Sequence, residues 1–535
     1  MFFLKVKTQS KVEINEGVFM TKKIAYILLF YLVTTNLYAS WPKSLYWSIS
    51  NNSWDENFEL GYQDFIHTLG IARKNGICKT ADECLRNPKA NPKFSSKNPK
   101  RLKFIFTDCA DLPYVLRAYY AWMNNLPFAY TTELVEASTM SPKLSDIRYS
   151  KNGNLITGKR EIRNGDNINN VLQNLTDTIS SATYRTDASK YDTNKKFRDT
   201  YPVAIDRKAI VPGSVLYDPN GHVAIVYEVS SNGKIRLMDA HPDNSLSVIT
   251  YGEKFARSKI QIGGGFSNFR PLSFYNDTVI PKPNKEIKEF SIIQYQKEPF
   301  IYKGKEVSFY EFVRNTLADG SVIYQPIVEF TDSLIEICQD VLYRKDAVDE
   351  SIKKHLDDLN HPIKLPSNIY GTDGDWEMFA TPARDARLKS SFRELKLYTK
   401  KVLTLFEFRA GNIDYDGSDL KTDFRKIFLD KMNNCKFELS YGEELNMNFV
   451  LKNIFKISFD PYHCEPLRWG ILDSSKCKQN SYKWKWYEAE QGLRNRIDRD
   501  NTIKTDYTVD ELPNAPESKV DQVDLSFDNL LDIGA

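Results

Sequence analysis

Apolar and polar side chains alternate along residues 222–229, HVAIVYEV. Val223, Ile225, Tyr227 and Val229 fall on one face; His222, Ala224, Val226 and Glu228 fall on the other. A period of two predicts a β-strand. A second run of strand character follows Asn232-Gly233 and ends near His241. Asn-Gly between two such runs predicts a hairpin. With Asn232 and Gly233 as the loop, Ser231 opposes Lys234. Every register of that parity places Asp239 and His241 on the face of His222. The hairpin then presents an imidazole and a carboxylate on one side and needs a nucleophile from elsewhere.

A different period appears upstream. The short apolar run 104–106 stops at Thr107-Asp108-Cys109, after which Leu112, Val115, Leu116, Tyr119, Tyr120 and Met123 repeat at helical spacing. Thr107 or Asp108 suits the N-cap, and Pro113 is compatible with a helix start. Cys109 then occupies the first turn. There the helix dipole and free N–H groups favour a thiolate, and Asp108 and Cys109 become the cap and oxyanion positions. Residues 133–210 are polar with one amphipathic piece (Val171, Leu172, Leu175, Ile179) and read as an insertion shaping a cleft. Residues 277–285, with Pro281 and Pro283 among charges, read as a linker closing a first domain at 41–276. Beyond it Leu334, Ile335, Ile337, Cys338, Val341 and Leu342 form one helical stripe. Leu388, Phe392, Leu395, Tyr398, Val402, Leu405 and Phe406 form another, on a long helix that begins after Pro382. The expected fold class is α+β, a helix packed on an antiparallel sheet, followed by a mainly helical domain over 286–507. Residues 508–535 carry many carboxylates and two prolines and are expected to form an acidic disordered tail.

Charge narrows the partners. Lys+Arg number 73 against 70 Asp+Glu, so no basic field points to nucleic acid. Lys22-Lys23, the apolar run 24–33 and small residues near Ala39 predict a signal peptide over 1–39, with translation starting at Met20. The run is too short to span a bilayer, so no stable membrane span is expected after its removal. Export to the periplasm or medium places seven cysteines in an oxidising compartment. The spacing leaves connectivity open. The pairs expected are Cys78–Cys84, Cys464–Cys477 and Cys338–Cys435, with Cys109 left as the free thiol.

Together, Asp108-Cys109-Ala110 at a helix start and Pro212-Gly213 before a strand opening Gly221-His222-Val223 resemble the papain-like cell-wall hydrolases, the CHAP amidases and NlpC-type peptidases. The resemblance covers about 104–244 and implies a papain-like catalytic core. It implies that Cys109 attacks an amide or peptide bond, His222 takes its proton and Asp239 orients the imidazole, with His241 as the alternative orienting residue. The substrate implied is a peptidoglycan stem peptide or another peptide. The 113 positions between Cys109 and His222 exceed the usual spacing, and the tyrosine-bearing segment that precedes the cysteine in NlpC peptidases is absent. Cys109-Ala110-Asp111-Leu112 also resembles transglutaminase-like enzymes, which implies acyl transfer with the same three residues. A non-catalytic binding or scaffold role is the third reading. No cofactor or metal is expected; a zinc site built from Cys109, His222, Asp239 and His241 matches no compact motif.

Overall fold

The structure, a computed structural model, describes residues 44–92, 102–137, 146–190, 196–241, 243–370, 375–477, 479–500 and 503–533. The expected signal peptide lies outside the described residues. The chain is mixed α and β. Its centre is a six-stranded antiparallel sheet in the order β3 (Thr200–Pro202), β8 (Gly265–Phe269), β4 (Val215–Asp218), β5 (His222–Val229), β6 (Ile235–Ala240), β7 (Leu246–Thr250).

Both faces of this sheet are buried, as the alternation in β5 requires of a strand apolar on each side. Val223, Ile225 and Tyr227 enter one core together with helices α1 (Glu56–Lys74) and α2 (Leu112–Met123). Helix α1 approaches β5 so closely that a Cβ on Gly70 would lie 2.1 Å from the Tyr227 ring, so only glycine fits there. Ala224, Val226 and Leu237 enter a second core with Ile287, Phe300 and helix α4 (Phe309–Leu317). The two cores explain why composition misplaced the boundary. Residues 278–281, expected in a linker, form β10 (Thr278–Pro281) paired with β9 (Leu272–Tyr275), and the chain keeps covering the sheet as far as Leu317.

The expected insertion is likewise part of the first core. Strands β1 (Ala129–Glu136) and β2 (Asn154–Glu161) pair as a hairpin, and helix α3 (Ile168–Thr178) buries Val171, Leu172 and Leu175.

The helical half is built on α5 (Pro326–Lys353), α6 (Pro382–Glu407) and α7 (Leu420–Asn434). Leu334, Ile337, Val341, Leu388, Phe392, Leu395 and Val402 face one another in a third core, while Ile335 and Leu342 stay exposed. The tail does not match its acidic composition. Leu512, Phe527 and Leu531 are buried, and the Phe527 ring packs 4.7 Å from that of Phe428. A few apolar anchors outweigh many solvated carboxylates.

All three expected disulfides form: Cys78–Cys84, Cys338–Cys435 and Cys464–Cys477; Cys109 is free. Among the described residues no helix is long and apolar enough to cross a membrane.

Candidate active site

Cys109 is placed by a reciprocal cap. The Asp108 Oδ1 accepts from the N–H groups of Ala110 (2.8 Å) and Asp111 (3.2 Å), and Asp111 Oδ1 accepts from the Asp108 N–H (3.0 Å). The Leu112 N–H closes the turn on the Asp108 carbonyl at 3.2 Å. The helix itself begins at Leu112 with Asp111 at its N-cap position, so Cys109 sits in the turn that precedes α2 and not in the first helical turn expected from the sequence. The cap consumes the N–H groups of Ala110 and Asp111, so the turn cannot offer them to an oxyanion. Among the described residues the Cys109 N–H makes no hydrogen bond and is the donor left over.

The hairpin reaches its geometry by a route the sequence does not show. The loop is one residue wider than a two-residue turn: the Ser230 N–H bonds the Lys234 carbonyl at 2.9 Å and Val229 faces Ile235. Continuing that register would set Ile225 against Asp239 and turn the carboxylate away from His222. A β-bulge intervenes. Glu228 faces Arg236, but Val226 faces Leu237, leaving Tyr227 as the extra residue. Beyond the bulge Ala224 comes opposite Asp239, and His222 shares its face. The His222 Nε2 lies 2.7 Å from Asp239 Oδ2.

Asp239 is fully buried and held from several sides. Ser247, directly across on β7, donates its hydroxyl to Oδ1. Burial opposes its ionisation. His241, the His222 hydrogen bond and Arg387 of α6 overcome this and hold the carboxyl below the usual carboxylate range. His222 Nε2 accordingly carries hydrogen and donates to the carboxylate, which leaves Nδ1 as the basic nitrogen. His241 is not the orienting group: its Nε2 is 4.0 Å from Asp239 Oδ1, and its ring packs 4.0 Å from that of Tyr343 on α5. Burial brings its imidazole down to about 4, so it is neutral at ordinary pH.

The thiol meets β5 at its backbone. The β5–β6 ladder stops at Ile225–Met238, and the Val223 N–H, one residue from His222, donates to the Cys109 sulfur. No hydrogen bond joins the thiol to His222 among the described residues. Tyr184 from the expected insertion closes the other side, donating to the Ala110 carbonyl at 2.7 Å.

The expectation of a lowered thiol pKa is reversed. Burial and the Asp108 carboxylate push the thiol well up, with Asp239 and Asp111 adding to the effect and only the Val223 N–H opposing it. Asp111 is itself pushed up to about 9 by burial and by Asp108. The resting sulfur is a thiol, so its thiolate fraction increases with pH throughout the neutral range. Alkylation of Cys109 by a neutral reagent is expected to quicken about tenfold per pH unit between about pH 7 and about pH 9. A rate already level at about pH 7 would show a resting thiolate instead.

Three groups at this site escaped sequence reasoning. Ser247 was accessible in principle, since extending the hairpin register across β7 sets it against Asp239. Tyr343 and Arg387 lie on α5 and α6, more than 100 positions from the hairpin, and no local pattern marks them. Comparison with known proteins identifies no relative: no protein-family model matches the chain, and neither curated proteins nor solved structures gave a match.

Proposed function

We propose that this protein is an exported cysteine hydrolase that cleaves an amide or peptide bond, with Cys109 as nucleophile, His222 as base and Asp239 as the group that orients the base. The observation that carries this reading is the 2.7 Å bond from His222 to a buried, ionised Asp239, placed beside the single free cysteine of a chain whose other six are bridged. Bridges of this kind persist in oxidising compartments, which supports export.

The raised thiol defines the chemistry. Cys109 rests protonated, and His222 Nδ1 removes the proton as the sulfur attacks the carbonyl carbon, with a change of side-chain torsion closing the gap between them. The imidazolium so formed is stabilised by Asp239. The Cys109 N–H donates to the developing oxyanion. His222 then protonates the departing amine, and water, deprotonated by His222, releases the acid from the thioester. Phe104 and Phe106 stand exposed just before Cys109 and offer an apolar wall to the substrate. Peptidoglycan stem peptides are the substrate class favoured by the resemblance to wall hydrolases.

Incubation of the purified protein with sacculi, followed by mass spectrometry of the soluble fraction, is expected to reveal new peptide termini carrying one added water. Prior alkylation of Cys109 is expected to stop their release. Fragments gaining an amine in place of water would assign acyl transfer. No new termini from sacculi or from a peptide library would leave a binding role.

A further inference from the structure

The helical half encloses a second group of ionisable side chains, remote from Cys109 in the fold. His361 is almost fully buried, Asp460 and Glu490 completely so, and one ligand-type atom from each lies within 4.8 Å of the others. They come from three separate segments: the chain following α5, the loop before the Cys464–Cys477 bridge, and the end of helix α8 (Ser481–Ala489).

Hydrogen bonding around this cluster is incomplete in a specific way. His361 Nδ1 is 2.7 Å from the Pro362 carbonyl oxygen. A carbonyl only accepts, so Nδ1 carries the hydrogen. In the neutral ring Nε2 then directs a lone pair at Asp460 Oδ2, 2.6 Å away and also an acceptor. Two acceptors at that separation require a positive centre. Glu490 reinforces the point, since both its carboxylate oxygens are buried without a hydrogen-bond partner. Arg494 does not supply one: its Nη1 stands 3.8 Å from Glu490 Oε2 and donates to the Tyr487 carbonyl, while Nη2 donates to Gln491. His463 is a wall of the site rather than a ligand. Its Nε2 lies 3.1 Å from the Lys483 carbonyl and its Nδ1 2.7 Å from Ser458 Oγ.

We propose that His361 Nε2, Asp460 Oδ2 and the Glu490 carboxylate bind a divalent transition metal of the zinc type. One imidazole and two carboxylates are a suitable donor set for such an ion. The support around them is of the kind that fixes metal ligands: the Pro362 carbonyl sets the His361 tautomer, and the Tyr462 N–H donates to Asp460 Oδ1 at 2.8 Å. The Trp486 ring stacks on that of His361 at 4.3 Å and fixes its plane. The two carboxylates, offset in part by the Arg494 guanidinium 3.8 Å from Glu490, supply the negative charge for a divalent ion. The metal ties together three segments that the Cys464–Cys477 bridge leaves unjoined, and its role is structural.

The full-length secreted chain, purified without chelator, is expected to carry one zinc ion by elemental analysis. After chelation, adding zinc should raise the thermal midpoint. Cobalt in its place should give visible absorption bands, a readout that needs no variant. Glu490→Gln keeps the shape of the side chain, and it and His361→Gln are expected to bind zinc at least about tenfold more weakly. A wild-type chain that, after zinc loading, holds no more metal than Glu490→Gln, with an unmoved midpoint and no cobalt bands, would overturn the proposal. It would assign the positive centre to a proton shared by His361 and Asp460.

Discussion

Replacing Cys109 with alanine is expected to abolish amide cleavage, a loss of about a thousandfold or more in turnover, because no other side chain at the site can form the acyl intermediate. The fold should survive, since loss of the sulfur leaves the Asp108–Asp111 hydrogen bonds and the Tyr184–Ala110 bond in place. Asp239→Asn provides the graded companion. The amide oxygen can still accept from His222 Nε2, so the ring stays oriented, but the charge that stabilises imidazolium is gone. A fall of roughly 10²–10⁴-fold in turnover is expected with little change in substrate affinity. Single-turnover kinetics on the peptide released from sacculi would measure both. Equal cleavage by wild type and Cys109→Ala would remove the nucleophile from the mechanism. Loss in Cys109→Ala with full activity in Asp239→Asn would remove only the stabilisation of imidazolium by the carboxylate charge.

The second large effect concerns stability. Arg344→Met is expected to lower the unfolding free energy by about 3–5 kcal/mol, the usual cost of stranding one partner of a buried ion pair. Arg344 on α5 is fully buried. Its Nε donates to Asp385 of α6 at 2.6 Å, and its Nη2 donates to the carbonyls of Ser458 (2.9 Å) and Arg468 (2.8 Å). One guanidinium thus joins two long helices to the loop that carries Asp460. Methionine fills much of the volume but leaves the Asp385 carboxylate, among the described residues, with Thr381 Oγ1 at 3.2 Å as its remaining side-chain partner and strands the Arg468 carbonyl, while the Ser458 carbonyl keeps Arg468 Nε at 3.1 Å. The double variant Arg344→Met/Asp385→Leu should recover much of the loss, because removing both charges spares the desolvation of either. Urea unfolding of wild type, Arg344→Met, Asp385→Leu and the double variant would give the coupling. A single variant within about 1 kcal/mol of wild type would mean that water reaches Asp385 and that the pair is not the clamp between α5 and α6.

The two halves of the molecule are connected through the candidate site itself. Arg387 on α6 acts on Asp239, Tyr343 on α5 packs against His241, and Arg499 pairs with buried Asp218, which lies across from His222 on β4. The Asp239 carboxylate is therefore covered by helices from the other half of the chain. Loosening those helices is expected to disturb the His222–Asp239 pair as well as stability.

What the sequence determined by itself is local. The period of two along β5, the helical stripe of α2, the short Cys78–Cys84 loop and the start of α6 close to Pro382 are signalled by neighbours, because backbone geometry repeats over a few residues. Tertiary structure decided the rest. The bulge at Tyr227, in a strand held between two packed cores, restores the parity that sets His222 beside Asp239. The thiol pKa depends on burial under Tyr184 and on carboxylates brought near by folding, so the helix-start argument gave the wrong sign. The tail and the expected linker were misjudged because composition measures average polarity, whereas burial is fixed by a few apolar side chains finding a complementary face. The donors at His361, Asp460 and Glu490 lie up to 129 positions apart, and only packing brings them together.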